Sequence, residues 1–192
     1  MVDVTAFEVR ELAVDGLLML RMKAVAEPRG VVREAFRAST FLAAGIYAGP
    51  WKQVNVTETA CGAIRGFHGE TAIKVVAVAA GAAFGAYLDA RPDSPTFGMV
   101  ETVDLVPGVQ VQVLAGVCNA FQATSSPSAQ YLYLFSEEWS PDMPGVAVNP
   151  LDPDLAVPWP IPVDPTNPGL LSAKDAALPP FAAAVTGHGR AN

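Results

Sequence analysis

Histidine, cysteine and lysine are scarce in this 192-residue chain, and basic residues almost vanish from its second half. The 2 histidines are His68 and His188, and the 2 cysteines are Cys61 and Cys118. That is too few nitrogen and sulfur donors for an ordinary catalytic metal site, and none is expected. The cysteines form no Cys-x-x-Cys pair, so two reduced, buried thiols are expected rather than a disulfide framework. Residues 92–192 carry 2 basic and 10 acidic residues, a balance of −8, whereas residues 1–91 stand at +1. With a net charge of −7, the chain is not expected to bind nucleic acid or an anionic membrane. An anionic ligand would have to be gripped mainly by the first half.

Long apolar runs are missing too. The most apolar one, Val75 to Leu88, has 14 residues and is broken by Gly81 and Gly85. A membrane-spanning helix needs roughly 20. Asp3, Glu8 and Glu11 lie in an N-terminus without a basic stretch, so no secretory signal is expected and a cytoplasmic location is. No Gly-x-x-x-x-Gly-Lys-Ser/Thr loop, Gly-x-Gly-x-x-Gly turn or Gly-x-Ser-x-Gly elbow occurs. Bound nucleotide cofactors and serine-hydrolase chemistry are thereby disfavoured.

What the chain does have is a period of two. Leu17 to Val25, Trp51 to Glu58 and Gly98 to Leu105 alternate as strands, with Val54 and Val56 on one face of the second. Val109 to Val113 alternates strictly, and Gln130 to Phe135 puts Tyr131, Tyr133 and Phe135 on one face. Lys74 to Ala79 and Ala83 to Asp89 are apolar on both faces and read as buried strands joined at Gly81. Turn signals separate these runs at Pro28-Arg29-Gly30, Pro92-Asp93-Ser94-Pro95, Pro107-Gly108 and Ser125-Ser126-Pro127. The pattern predicts an all-β sandwich, jelly roll or barrel, organised as one domain. Helical signals are confined to Ser39–Ala44, stopped by Gly45, and to a turn opening at Ser172. The proline-dense stretch from Asn149 to Pro168 should wrap the domain as an irregular strap, and Thr186 to Asn192 should fray.

His68 is the residue with the clearest chemical promise. Arg65 and Lys74 flank it, which suits an anionic ligand, and imidazole is the side chain best placed to act as a base near neutral pH. A hydrogen-bonded structural histidine is the competing reading. His188, near the chain end, is expected to be solvated.

Further strings occur in a fixed order over roughly residues 10–181. They are Pro28-Arg29-Gly30 with Glu34-Ala35-Phe36; Gln53-Val54-Asn55; Gly62-Ala63-Ile64-Arg65-Gly66-Phe67-His68; Lys74-Val75-Val76; and Leu88-Asp89-Ala90-Arg91 with Ser94-Pro95-Thr96-Phe97-Gly98. Gly116-Val117-Cys118-Asn119-Ala120-Phe121-Gln122, Tyr131-Leu132-Tyr133, Asp152-Pro153-Asp154-Leu155 with Trp159-Pro160, and Leu171-Ser172-Ala173-Lys174-Asp175 follow. Together they resemble the dTDP-4-dehydrorhamnose 3,5-epimerases, cupin-fold enzymes of deoxysugar biosynthesis. The resemblance implies a cupin-type jelly roll that needs no cofactor and acts on a 4-keto-6-deoxyhexose carried on dTDP. It assigns His68 as the base at carbons 3 and 5, Asp175 as its orienting partner, Tyr133 as the opposing acid and Lys74 as the oxyanion donor. It further implies Arg65 and Arg29 for the pyrophosphate, Gln53, Asn55 and Asn119 as pocket residues, and Trp139 near the nucleotide. A homodimer is implied as well, with an N-terminal strand exchanged so that Arg29 and Glu34 serve the neighbour's site.

Many family members have His where this chain has Asn119, Gly where it has Ala120 and Asp where it has Gly85. A single-centre 3- or 5-epimerase is therefore an alternative. A 3,4-ketoisomerase and a non-catalytic sugar-nucleotide-binding cupin are further ones. The first is disfavoured because no second His lies close to His68, and the second because His68, Lys74, Tyr133 and Asp175 are all present.

Overall fold

The computed structural model describes residues 2–188. Among them the strands are β1 (Asp3–Thr5), β2 (Glu8–Glu11), β3 (Leu18–Arg21), β4 (Ala24–Glu27), β5 (Gly30–Arg33), β6 (Gln53–Ala60), β7 (Ile64–Glu70), β8 (Lys74–Ala80), β9 (Ala83–Asp89), β10 (Val100–Leu105), β11 (Val109–Val113), β12 (Val117–Ala123), β13 (Ser128–Phe135) and β14 (Gly145–Val148). The helices are short: α1 (Ala38–Ala43), α2 (Ala173–Ala176) and α3 (Phe181–His188), with a 3-10 turn at Pro153–Leu155. A six-stranded sheet runs β2-β3-β11-β8-β13-β6, a five-stranded sheet runs β10-β9-β12-β7-β14, and β1-β4-β5 form a small third sheet. The two large sheets pack face to face as the expected jelly roll. Val76, Val78, Val111, Val113 and Tyr131 from one meet Tyr87, Val103, Leu105 and Phe121 from the other. Fully burying each aliphatic side chain contributes about 1.5–3 kcal/mol.

One strand reading changes in the structure, and a second gains its direction. Leu17 to Val25 is not one strand. Met22, 1% exposed, donates its amide to the Gly108 carbonyl at 2.8 Å, and there the chain leaves the six-stranded sheet for the small one. The alternation persists because both segments are extended, so the corner leaves no mark on the pattern. In β6 the valines face outward: Val54 and Val56 are each 59% exposed. The opposite face, with Asn55 and Thr57, lines the interior, because the interior at this edge strand is a polar cavity. At Gly81 the chain passes from β8 to β9 with φ +81°, where a Cβ would collide with Ser125 Oγ.

The proline-rich strap takes shape through side-chain ties. Gln122 donates to the Ile161 carbonyl at 2.7 Å and accepts from its amide at 2.9 Å, while Trp159 Nε1 donates to the Pro150 carbonyl at 2.9 Å. Gly45, at φ +71°, follows α1 as expected. Ser172 caps α2, its Oγ accepting from the Asp175 amide at 3.0 Å. Helix α3 runs through Thr186 to His188, where fraying was expected; the His188 side chain and residues 189–192 lie outside the described residues. Both cysteines are free; Cys118 is buried, and its thiol is pushed up to about 12 by burial. Cys61 is only half-buried, because it sits in the turn after β6.

The Asp89–Thr96 string is architectural. Asp89, fully buried, accepts two bonds of 2.8 Å from the Arg91 guanidinium and further bonds from the Ser94 and Thr96 hydroxyls. Burial opposes its charge, but these donors prevail and hold the carboxyl well below the usual range.

Candidate active site

A cavity of about 230 Å³ opens at one end of the jelly roll, lined mainly by β6, β7, β12 and β13. Strand β7 brings three polar side chains to it: Arg65, His68 and Glu70. Glu70 follows His68 by two and shares its face by simple alternation. Arg65 precedes His68 by three, which on a regular strand would face the other way. The register against β12 shifts between the pairs His68–Asn119 and Arg65–Phe121, and this irregularity turns both side chains inward.

His68 Nε2 lies 3.1 Å from Asp175 Oδ1, across 107 residues of sequence. The other carboxylate oxygen, Oδ2, accepts the Gly66 amide at 3.3 Å. A Cβ at position 66 would stand 3.2 Å from Asp175 Cγ, so the glycine lets α2 come this close to β7. Burial alone would raise the Asp175 carboxyl; its bond to His68, the charge of His68, the Gly66 amide and the Ser172 hydroxyl outweigh it and leave it lowered. An ionised Asp175 accepts a hydrogen bond from Nε2–H, which keeps the ring proton there and leaves the imidazole lone pair on Nδ1.

Lys74 opens β8 and is 1% exposed. Its ammonium donates to the His68 carbonyl at 3.1 Å, to the Glu70 carboxylate and to Asn119 Oδ1. Tyr133 lies in an aromatic ladder, its ring 4.8 Å from Tyr131 and 5.7 Å from Phe135 between centroids. Burial pushes its phenol up; the Arg65 charge works against this and the Glu70 charge with it, so the group is held protonated. Arg65 anchors its Nε on Thr59 Oγ1 at 3.0 Å, leaving the terminal nitrogens free of that bond.

His68, Lys74, Tyr133, Asp175, Arg65, Asn55, Asn119 and Trp139 thus converge on one cavity. Gln53 does not line it. Its amide donates to Asn55 Oδ1 at 3.1 Å while its Oε1 accepts the Trp139 amide at 2.7 Å, so it ties the tryptophan loop to β6. Arg29 and Glu34 stay outside this chain's cavity. Arg29 sits exposed in the β4–β5 turn, paired with Glu27, and Glu34 pairs with Arg37. Sequence reasoning passed over Glu70, Thr57, Phe121 and Phe135, all of which line the cavity. Two-residue spacing from His68, Asn55, Asn119 and Tyr133 would have pointed to each. The absence of a side chain at Gly85 has a local reason: a Cβ there would be 2.7 Å from the Tyr87 hydroxyl, which fills the space.

Fold and cavity define a jelly-roll protein with an oriented imidazole, a protonated phenol and a buried ammonium in one site. The family model for dTDP-4-dehydrorhamnose 3,5-epimerase matches residues 11–183. The chain is 36% identical over 164 residues to a dTDP-4-dehydro-6-deoxyglucose 3-epimerase of Streptomyces bikiniensis, covering 81% of this chain and 80% of that one. It is 32% identical over 178 residues to a dTDP-4-dehydrorhamnose 3,5-epimerase of Streptomyces griseus, covering 90% and 86%. Among solved structures, a 4-keto-6-deoxy sugar epimerase from the novobiocin biosynthetic gene cluster of Streptomyces spheroides aligns with a TM-score of 0.85 at 28% identity, over 96% of this chain and 92% of that one. A 3′-monoepimerase from Streptomyces bikiniensis in complex with dTDP-quinovose aligns with a TM-score of 0.82 at 32% identity, over 93% and 89%. The chain belongs to the dTDP-4-dehydrorhamnose 3,5-epimerase family.

Proposed function

We propose that this chain epimerises a dTDP-4-keto-6-deoxyhexose at a carbon next to the ketone. The observation that carries the reading is the His68–Asp175 pair at 3.1 Å in the same cavity as Lys74 and Tyr133. The ketone acidifies the hydrogens at carbons 3 and 5. Nδ1 of His68 takes one as a proton, and the C–H electron pair moves into an enolate whose negative charge lies on the former keto oxygen. Asp175 stabilises the imidazolium and Lys74 the enolate oxygen. Tyr133 returns a proton to the opposite face, and the centre is inverted without net change in oxidation state. A positioned base contributes roughly 10²–10⁴-fold. Arg65 suits the pyrophosphate, because a guanidinium matches phosphate oxygens in pairs. The half-exposed Trp139 offers an aromatic face to the base.

A single-centre reaction is the second reading. Relatives named 3-epimerases are 36%, 35% and 32% identical, and those named 3,5-epimerases reach 32%. Asn119 supplies no second imidazole. Trapping the product with a ketoreductase and determining its configuration decides between inversion at one centre and at two. Recovery of unchanged substrate would refute both.

A homodimer completes the proposal. Val31, Val32, Val54 and Val56 expose apolar surface on the small sheet and on the edge strand β6, and such edges call for cover. Covering them with a second copy would also give Arg29 and Glu34 a neighbouring site to serve. Sedimentation at micromolar concentration should give a dimer; a monomer would refute this. A cytoplasmic location is part of the same reading.

A further inference from the structure

An ammonium has three N–H donors and no acceptor. In the cavity, Lys74 commits one to each of three partners: the His68 carbonyl, Asn119 Oδ1 and the Glu70 carboxylate. No donor is left for a substrate oxygen. The neighbouring carboxylate also cancels much of the ammonium's field, so an enolate would meet a neutral pair instead of a cation. For Lys74 to serve an oxyanion, one of the three bonds must be given up.

The partners differ in how easily they yield. The His68 carbonyl is backbone, held in β7 between the paired residues Asn119 and Ala147. Asn119 sits inside β12, 5% exposed, on a short side chain. Glu70 is the last residue of β7, has the longest side chain of the three, and faces the cavity. Only one of its carboxylate oxygens has a protein partner among the described residues.

We infer that Glu70 is a displaceable counter-ion of Lys74, holding the ammonium while the cavity is empty and yielding it to the keto oxygen of the bound sugar. The inference rests on the function proposed above and adds a residue to it. Once displaced, Glu70 remains beside the sugar as an acceptor for a ring hydroxyl, so its charge is not stranded. Its charge also favours the protonated form of Tyr133.

Two measurements test this. In crystals of the wild-type protein soaked with dTDP-4-keto-6-deoxyglucose, the Glu70–Lys74 contact should open beyond hydrogen-bond distance, with the sugar oxygen at carbon 4 on Lys74 Nζ. In Glu70→Gln the ketone competes with a neutral amide rather than a carboxylate. The difference between a charge-assisted and a neutral hydrogen bond, about 1 kcal/mol, corresponds to a KM about fivefold lower, with the Kd for dTDP alone unchanged. An intact Glu70–Lys74 bond in the complex, or a KM for Glu70→Gln that is unchanged or raised, overturns the inference. If Glu70→Gln does not fold, the wild-type complex decides alone. Deuterium exchange by the wild type separates the two levels. Exchange with the pair intact overturns this inference only, whereas no exchange overturns the proposed function and this inference with it.

Discussion

Replacing Asp175 by Asn probes the base most sharply, because the amide has the carboxylate's shape but not its symmetry. Two orientations are available. In one, the amide oxygen keeps the bond from the Gly66 amide, at 3.3 Å in the wild type. The NH2 group then faces His68 Nε2, where the carboxylate oxygen stood at 3.1 Å. Nε2 must become the acceptor, the ring proton moves to Nδ1, and the nitrogen needed to take the substrate proton is already occupied. In the other orientation the NH2 group opposes the Gly66 N–H in a site where the Asp175 side chain is only 10% exposed. Two facing donors there cost about 1–3 kcal/mol. Either way the imidazolium also loses its counter-charge. We expect kcat to fall about 10³-fold, or ~4 kcal/mol, with KM within about threefold because the carboxylate meets the ring and not the sugar. The assay is product formation coupled to a ketoreductase, beside a thermal melt to verify folding. His68→Ala should lose at least as much, and the double variant no more than His68→Ala alone, since the pair acts as a unit. A folded Asp175→Asn variant losing less than about tenfold in kcat would refute the assignment.

Lys74→Met should lower kcat by roughly 10²–10³-fold while dTDP still binds, since one oxyanion donor is removed; titration calorimetry with dTDP alongside turnover checks the split. Asp89→Asn should destabilise the fold by about 3–5 kcal/mol, because Arg91 loses a buried partner, yet leave kcat per folded molecule unchanged; denaturant melts and active-site titration report each. Asp89 and Asp175 both have lowered folded-state values. Their stabilisation is therefore complete above the ordinary carboxylate range and is lost as pH falls through it toward those lowered values. Tm should hold from pH 7 to about 5 and drop below about 4, less steeply in Asp89→Asn; parallel curves for the two proteins would contradict this.

Much of the jelly roll was legible because strands advertise themselves by alternation, as β11 and β13 do, even though the alternating glutamines of β11 are themselves buried on the Ala35 and Tyr47 carbonyls. What alternation could not show was a change of sheet at Met22, since both sides of the corner are extended, or which face of β6 turns inward. A polar cavity reverses the usual rule, putting Asn55 and Thr57 inside and Val54 and Val56 outside. In the site, local spacing carried His68 and Lys74. Asp175, 107 residues from His68, was reachable only through the family resemblance, because no short-range pattern links a capped turn beyond the strap to a strand of the barrel. Arg65 was found for its charge, although its inward direction depends on a register shift invisible in the sequence. Glu70 was within reach by period two but drew no notice, since an acid beside a base reads as a surface pair until Lys74 is seen to be buried.

The central claim is that His68 removes a proton next to the ketone of the sugar. Proton NMR of dTDP-4-keto-6-deoxyglucose incubated with the protein in deuterated buffer tests it directly. The account predicts deuterium at carbon 3, at carbon 5 or at both with the wild type, and none above background with His68→Ala. Full exchange by the folded His68→Ala variant, or no exchange by the wild type, would contradict it.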